Sequence, residues 1–383
     1  MMSRKSKQEL LDTVRPRYYK AGRKEKKRIL DELVANTGYE RKYIIQVLNH
    51  PAPPQVRRKR RGKSRYGLRV KAALIQIWRA ANCICGKRLV AGMQDLIDAL
   101  ERHHELSLED EIRDLLLHIS PATVDRLLYS ERDKKRHGLG TTKPGTLLKQ
   151  SIPIRTFADW DEQRPGFFEA DLVAHCGNSA AGAYLYTLVL VDVHTGWTEC
   201  IALANKGQQT VKKALDAVRQ RLPFPMLGLD SDNDAAFING TLARYCAQEQ
   251  ITFTRSRPNK KNDQAYVEQK NWTTVRQTVG YDRYEGQRAL RSMQALYQVL
   301  RLYTNFFQPV MKMTAKKRVG SKVTKQYDSI QTPFRRVLSL PEVPDVKKAQ
   351  LQECYLSLNP AALLRQIHEL QEQLWRLAKS KIL

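Results

Sequence analysis

Apolar residues in the first 130 positions recur at the three-to-four-residue spacing of amphipathic helices. One apolar stripe ends at a break around Gly38, and a second begins just behind it. Two short helices about a glycine turn are typical of a helix-turn-helix motif, whose second helix enters the major groove of DNA, although a plain helical hairpin has the same pattern. The first stripe comprises Ile29, Leu30, Leu33 and Val34, and the second comprises Tyr43, Ile44, Val47 and Leu48.

Residues 67–130 repeat the helical pattern. Ser120 followed by Pro121 is a favourable helix start, with Ser as the N-cap and Pro in the first turn. The segment Ala122–Tyr129 then predicts a second recognition helix. We therefore expect two helix-turn-helix modules, at residues 1–50 and 67–130. Their candidate DNA contacts are Arg41, Lys42 and Gln46 in the first module, and Thr123 and Arg126 in the second.

The pattern changes to strands after residue 165. Its order of elements, β-β-β-α-β-α-β-α, is the ribonuclease H-like layout, an α/β fold with a mixed five-stranded sheet flanked by helices. We assign this catalytic core to residues 166–285. The predicted strands are Phe167–Val173, Ala183–Val193, Trp197–Leu203, Met226–Asp230 and Ile251–Thr254, and the predicted helices are Thr210–Leu222, Ile238–Gln248 and one that starts near Gln264.

The C-terminal residues 286–383 are predicted to be helical and basic. Tyr284–Phe307 has the pattern of one long helix, and a cluster of basic residues follows it. Residues 359–379 form an amphipathic helix. This helix either packs on the protein's own core or forms a coiled coil with a partner helix, and the sequence leaves both alternatives open.

The charge of the chain is strongly positive. It has 66 Lys and Arg against 39 Asp and Glu, a formal net charge of +27. Between Phe167 and Gly280 there are 12 basic and 11 acidic residues, so the excess lies in the flanks. Basic flanks attract a polyanion, most obviously double-stranded DNA, although a ribosomal-type or membrane-surface protein is also basic.

The basic residues that we expect to contact DNA lie in two linkers, a loop and the C-terminal region. The linker 51–66 contains a run with seven basic residues out of nine, and the linker 131–165 is also basic. The candidates are Arg57, Arg58, Lys59, Arg60 and Arg61 in the first linker, Lys260 and Lys261 in a polar loop, and Lys316, Lys317 and Arg318 in the C-terminal cluster.

Three carboxylates of the core call for a chemical explanation. Asp171 lies inside an apolar strand, where an unpaired charge is unfavourable. Asp232 follows another strand end, and Glu268 lies on a helix beside apolar residues. Carboxylates that converge from separate elements are suitable ligands for Mg²⁺ or Mn²⁺. Two such ions in one site stabilise the attacking and leaving oxygens of a phosphodiester.

The core resembles the retroviral-integrase-like DDE transposases of bacterial insertion sequences over about residues 160–290. The first Asp of that family lies in a strand, here FFEADLVAH. The second begins D-N-G-x-x-F-x-N, here DNDAAFIN, and the Glu lies in V-E-x-x-N, here VEQKN, with 35 residues between Asp232 and Glu268. The family's usual Gly is Asp234 here, and Asp tolerates a positive φ better than most residues do. Asp230 competes with Asp232 as the second ligand, but only Asp232 is followed by Asn.

This resemblance implies that Asp171, Asp232 and Glu268 are catalytic and hold two Mg²⁺ or Mn²⁺ ions. It implies an enzyme that binds element ends, hydrolyses a phosphodiester to free a 3′-OH and transfers that strand into target DNA, as a homo-oligomer. The alternatives are a metal-dependent nuclease without strand transfer and a domesticated, non-catalytic DNA-binding regulator. No apolar run is long enough to span a membrane, and no secretory signal is visible, so we expect a cytoplasmic, nucleoid-associated protein.

Overall fold

A computed structural model describes residues 2–50, 65–132, 164–232, 234–256, 264–319 and 322–379. The chain divides into two compact units, Met1–Arg65 and Tyr66–Leu383. Each unit has its own hydrophobic core. Among the helices that are described, none is both long enough and apolar enough to cross a lipid bilayer.

The first unit consists of helices around a small core. Its helix α2 ends at Gly38, which adopts a φ of 69°, a left-handed conformation that glycine reaches without steric strain. The hydroxyl of Tyr19 donates a hydrogen bond to the Leu48 carbonyl at 2.7 Å and ties the first helix to the third. Tyr43 does not face the core with the rest of its apolar stripe, since this side chain is 46% exposed and packs on Tyr39 at the surface. The helices are α1 (Arg4–Lys20), α2 (Arg23–Thr37) and α3 (Arg41–Asn49).

The second unit begins with short helices that share one core with the sheet that follows. Ser120 caps the last of them, because its hydroxyl accepts a hydrogen bond from the Thr123 N–H at 3.2 Å. The hydroxyl of Tyr303, from the C-terminal part of the chain, donates to the Ala80 carbonyl at 2.8 Å. These helices are α4 (Leu68–Ala80), α5 (Gly86–Ala91), α6 (Met93–Arg102), α7 (Asp110–Leu117) and α8 (Pro121–Leu127), with a 3-10 turn at Tyr129–Glu131.

A five-stranded mixed sheet forms the centre of the second unit, in the order β3-β2-β1-β4-β5. The first three strands are antiparallel, and β4 and β5 run parallel to β1. This sheet with its flanking helices confirms the predicted fold class. The strands are β1 (Phe167–Ala174), β2 (Tyr186–Asp192), β3 (Thr198–Leu203), β4 (Gly228–Ser231) and β5 (Thr252–Arg255), and the helices between them are α9 (Gln208–Arg221) and α10 (Gly240–Gln248).

One continuous helical segment follows the sheet and carries a π-helical turn in its middle. A longer helix then covers the sheet, and the hydroxyls of Thr187 on β2 and Tyr297 on this helix lie 2.6 Å apart. The segment comprises α11 (Ala265–Lys270), the π-helical turn (Asn271–Arg276) and α12 (Gln277–Val279). The rest of the chain comprises α13 (Gly286–Phe307), β6 (Met313–Val319), β7 (Lys322–Tyr327), α14 (Pro333–Leu338), α15 (Asp345–Ser357) and α16 (Pro360–Trp375).

The structure bears on three further expectations, one within the core and two in the C-terminal region. The strand predicted from Ala183 begins at Tyr186, because the Arg283 guanidinium holds the preceding loop through the carbonyls of Ala181 and Ala183. The basic cluster after α13 is an antiparallel hairpin of β6 and β7. Helix α16 packs on the protein's own core, since its apolar side chains, including Ile367 and Leu374, are buried in it.

Candidate active site

Asp171 and Asp232 come from neighbouring parallel strands. The register of β1 and β4 pairs Glu169 with Asp230 and Ala170 with Ser231. The residues that follow this last pair are Asp171, within β1, and Asp232, directly after the end of β4, so the register makes them neighbours. Both side chains are half-buried. The two carboxylates thus lie side by side at the carboxyl end of β4, and α/β sheets commonly bind ligands at such strand ends.

Burial and neighbouring negative charge raise the pKa values of both aspartates. Burial, and then the negative charge of Asp232, raise the pKa of Asp171 to about 7. Burial also raises the pKa of Asp232 to about 6, although its Oδ1 accepts a hydrogen bond from the Asp234 N–H at 2.9 Å. A site that disfavours two adjacent negative charges in this way favours a cation between them.

Glu268 lies on α11, and its side chain is exposed. Its negative charge also raises the pKa of Asp171, after the larger effects of burial and Asp232. Three residues further on, Asn271 begins the π-helical turn and donates from Nδ2 to Oδ2 of Asp171 at 2.6 Å. The Asn of the VEQKN motif therefore links the helix that carries Glu268 directly to the strand that carries Asp171.

A second pair of carboxylates lies deeper on the same face of the sheet. Glu169 is fully buried, and its Oε2 accepts a hydrogen bond from the Val267 N–H in the first turn of α11 at 2.7 Å. Burial raises the pKa of Glu169 well above its ordinary value, and the charge of Asp230 adds to this, so the neutral acid is favoured. Asp230 is also buried, and its Oδ1 accepts from the Thr254 hydroxyl at 2.5 Å. This lower pair joins the sheet to the helix that carries Glu268.

The DNDAAFIN motif forms the turn after β4. Asp234 does not adopt the positive φ that the sequence analysis expects of it. Its carboxylate instead accepts from the Ala236 N–H at 2.8 Å and pairs with Lys206 at 2.9 Å, which stabilises the turn without a glycine. Asn239 is the N-cap of α10 and accepts from the Leu242 N–H at 2.9 Å. Most of the motif thus shapes the loop that presents Asp232.

The chemistry of these groups fits a divalent cation in part. Two adjacent carboxylates with raised pKa values are hard oxygen ligands whose repulsion a cation would relieve. However, the described residues contain no group of three or more His, Cys, Asp or Glu side chains positioned to hold a metal ion. Asp171 and Asp232 therefore form a pair of carboxylates, whereas Glu268 does not complete a three-ligand metal site with them. The assignment of all three as metal ligands stays a prediction.

The residues predicted to contact DNA lie at several places. In the first unit Lys42 and Gln46 are exposed on α3, and Arg41 on the same helix pairs with Asp31. In the second unit Arg126 is exposed and donates to the Thr123 hydroxyl at 3.1 Å. The candidates Arg57, Arg58, Lys59, Arg60, Arg61, Lys260 and Lys261 fall outside the described residues, and Lys316, Lys317 and Arg318 are described only by their backbone in β6.

Sequence reasoning missed the roles of Glu169 and Asn271. Glu169 is two positions before Asp171 and therefore on the same face of the strand, and the argument that a charge inside an apolar strand requires a partner applies to it equally. Asn271 is part of the VEQKN motif, but only the folded chain shows that its amide contacts Asp171.

Comparison with known proteins identifies an integrase core domain within the chain. A family model described as the integrase core domain matches residues 161–261, which include Asp171 and Asp232 but end before Glu268. The chain is 42% identical over 341 residues to the uncharacterized protein y4rM of Sinorhizobium fredii, an alignment that covers 88% of this chain and 96% of that protein. A crystal structure of the catalytic core domain of BIV integrase is 18% identical, with a TM-score of 0.28, and the match covers 44% of this chain and 91% of that one.

Proposed function

We propose, from the premise that this chain belongs to the integrase-like catalytic core family, that it is a DNA transposase. It would bind the ends of a mobile element, hydrolyse a phosphodiester to free a 3′-OH, and transfer that strand into target DNA. The observation that carries this proposal is that Asp171 on β1 neighbours Asp232 at the end of the parallel strand β4, with the pKa of each raised.

Asp171, Asp232 and Glu268 would together hold two Mg²⁺ or Mn²⁺ ions. When bound, such ions stabilise negative charge on the attacking and leaving oxygens of a phosphodiester. At a pH above about 7 both aspartates are ionised, which is the form that binds a cation. Because Glu268 is exposed, its side chain has room to turn toward the aspartates when a substrate binds.

Other residues of this chain would hold the site in place. Asn271 donates to Oδ2 of Asp171, and the Leu172 N–H donates to its Oδ1 at 2.7 Å, so both oxygens are oriented. Glu169 holds the first turn of α11 on the sheet through the Val267 N–H, so the position of Glu268 depends on a buried acid. These contacts would orient the carboxylates before DNA arrives, and preorganised groups contribute most to phosphodiester chemistry.

Basic segments outside the core would bind double-stranded DNA. In the first unit we propose that α3 is a recognition helix, with Lys42 and Gln46 exposed for base or phosphate contact. In the second unit the register of the hairpin sets Lys316 opposite Lys325. A basic segment of this kind would bind the phosphate backbone of DNA. Juxtaposing two element ends would require a homo-oligomer in the DNA complex.

The experiment uses duplexes from inverted repeats at the borders of the DNA that encodes this chain, both intact and with pre-cut 3′ ends. With Mg²⁺ the wild-type protein should nick intact ends and join pre-cut ends to a target plasmid. Asp171→Asn should do neither, and Asp216→Asn on the distant helix α9 should behave like the wild type. Denaturing gels would show both products.

The same assay separates the alternatives. Nicking without joining of pre-cut ends would indicate a nuclease. Specific binding of the ends without either reaction, over a range of Mg²⁺ and Mn²⁺ concentrations, would indicate a regulator that has lost its catalytic function. Either result would contradict the proposal of strand transfer.

A further inference from the structure

Lys270 lies two residues after Glu268 but on the opposite face of the helix. Two residues correspond to a rotation of roughly 200° about an α-helix. Accordingly Glu268 is exposed, whereas Lys270 is only 8% exposed. The Lys270 side chain lines a cavity of about 480 Å³ between the α11–α12 segment, α13 and α16, which we call the Lys270 cavity.

A second cation, Arg88, lines the same cavity. The Lys270 and Arg88 side chains therefore face one common space. Arg88 donates to neutral acceptors, the Pro309 carbonyl and, at 3.4 Å, Oε1 of Gln308. Within the described part of the chain, no carboxylate lies within ion-pair distance of either cation, and Lys270 has no hydrogen-bond partner.

Among the described residues, the Lys270 ammonium is a largely buried charge without an anion, beside a partly buried arginine. A buried charge is normally paired or hydrogen-bonded, and here two like charges also repel each other. The surroundings of the Lys270 cavity allow a ligand to enter, because Asn82, Gln277 and His368 on its lining are exposed to solvent. Its volume falls within the ~300–1,000 Å³ that is typical of small-ligand sites.

We propose that the Lys270 cavity binds a phosphate group, with the Lys270 ammonium and the Arg88 guanidinium as its cationic ligands. Lysine binds phosphate as a point charge, and arginine binds it through a planar set of N–H donors. The phosphate belongs either to the DNA backbone or to a free phosphate ion. The proposal does not depend on strand transfer and holds equally for a chain that only binds DNA.

A thermal-unfolding experiment tests the free anion. Inorganic phosphate should raise the melting temperature of the full chain above that in NaCl of the same ionic strength, because a ligand that binds only the folded state stabilises it. Lys270→Met, which keeps the length of the side chain and removes its charge, should abolish this difference. Lys213→Met, an exposed lysine on α9 outside the cavity, should retain it.

A binding experiment tests the DNA backbone. The affinity for a duplex is measured from low to moderate salt for the wild type, Lys270→Met and Lys213→Met. If the phosphate is part of DNA, Lys270→Met should reduce the slope of log K against log[salt] by about 1 relative to both other proteins. If the phosphate is a free ion, this slope should stay unchanged while the phosphate-specific rise in melting temperature disappears.

The proposal is wrong if phosphate adds no stability beyond NaCl and Lys270→Met leaves the salt slope unchanged. A measurement on the wild type avoids dependence on the folding of a variant. Acylation of lysines, followed by mass spectrometry, should be slower at Lys270 in the presence of phosphate or duplex DNA, with Lys213 as the internal reference. Equal protection of both lysines, or protection of neither, would also refute a phosphate site in the cavity.

Discussion

Replacing Asp232 by Asn should separate stability from activity. The change keeps the size of the side chain and an acceptor for the Asp234 N–H, but removes the charge. Asp171 has a pKa raised from 3.8 to about 7, a difference of roughly three units, and each unit corresponds to about 1.4 kcal/mol. Because burial is the largest cause and the charge of Asp232 comes second, we assign Asp232 less than half of this, roughly 1–2 kcal/mol.

The metal-free variant should therefore be more stable than the wild type at pH 8. An acid whose pKa is raised by folding destabilises the folded state as the pH rises, because the folded state then binds more protons than the unfolded state. At pH 5 both aspartates are largely protonated, so the two proteins should unfold at nearly the same temperature. At pH 8 the variant should melt roughly 2–4 °C higher, a small shift because the unfolding unit is large.

Magnesium should make the wild type more stable than Asp232→Asn at pH 8. The wild type should gain melting temperature with added Mg²⁺, and Asp232→Asn should gain much less, since one ligand of the cation is missing. Nicking and strand transfer should fall below detection in the variant, while DNA binding should persist, because the basic excess lies outside residues 167–280. Scanning fluorimetry in EDTA and in Mg²⁺, together with the strand-transfer assay, measures both effects.

Two results would refute this reasoning. A difference in stability between the wild type and Asp232→Asn that stays the same at pH 5 and pH 8 would mean that the charges of Asp232 and Asp171 do not repel each other. Strand transfer that survives Asp232→Asn but disappears in Asp230→Asn would mean that the deeper aspartate is the ligand, contrary to its burial and its hydrogen bond with Thr254.

Three further predictions concern the residues around the carboxylate pair and the division of the chain. Asn271→Ala removes the 2.6 Å hydrogen bond to Asp171, so a Mg²⁺ titration of nicking should show a higher metal requirement and at least a roughly tenfold lower rate. Glu169→Gln keeps a neutral acceptor for the Val267 N–H and should unfold in urea much as the wild type does. Glu169→Ala should lower the free energy of unfolding by roughly 2–4 kcal/mol. An equal loss of stability in both variants would refute the role of this hydrogen bond in holding α11 on the sheet. A chain that starts at Tyr66 should give the circular dichroism spectrum of a folded protein and should lose its preference for specific DNA ends. Removal of residues 1–130 should instead unfold the chain, because it removes α4–α8 from the core that they share with the sheet.

The order of strands and helices along the chain follows from the local pattern of apolar residues. Alternating and continuous apolar runs identify β1 to β5, because a strand must present its apolar side chains to a core, and the predicted order β-β-β-α-β-α-β-α is the order observed. The boundaries at helix ends also follow from local chemistry, as at Gly38 and Ser120, since capping depends on neighbouring residues alone.

Contacts between residues distant in the chain could not be predicted in the same way. The sequence marks Asp171 and Asp232 as unusual, but only the register of β1 and β4 puts them side by side. The contact between Asn271 and Asp171 spans 100 positions, and that between Glu169 and Val267 spans 98. No local pattern encodes such pairs, because they depend on how strands and helices pack.

The class of fold, the excess of basic charge in the flanks and the three unusual carboxylates can all be recognised in the amino-acid sequence, because periodicity, composition and motif spacing are local properties. Three other features depend on the tertiary structure. They are which of those carboxylates are neighbours, the packing of α16 on the core of the second unit, and the position of Lys270 in a cavity with Arg88. The physical reason is that burial, and with it the energy of a charge, is set by the surrounding atoms, most of which come from distant parts of the chain.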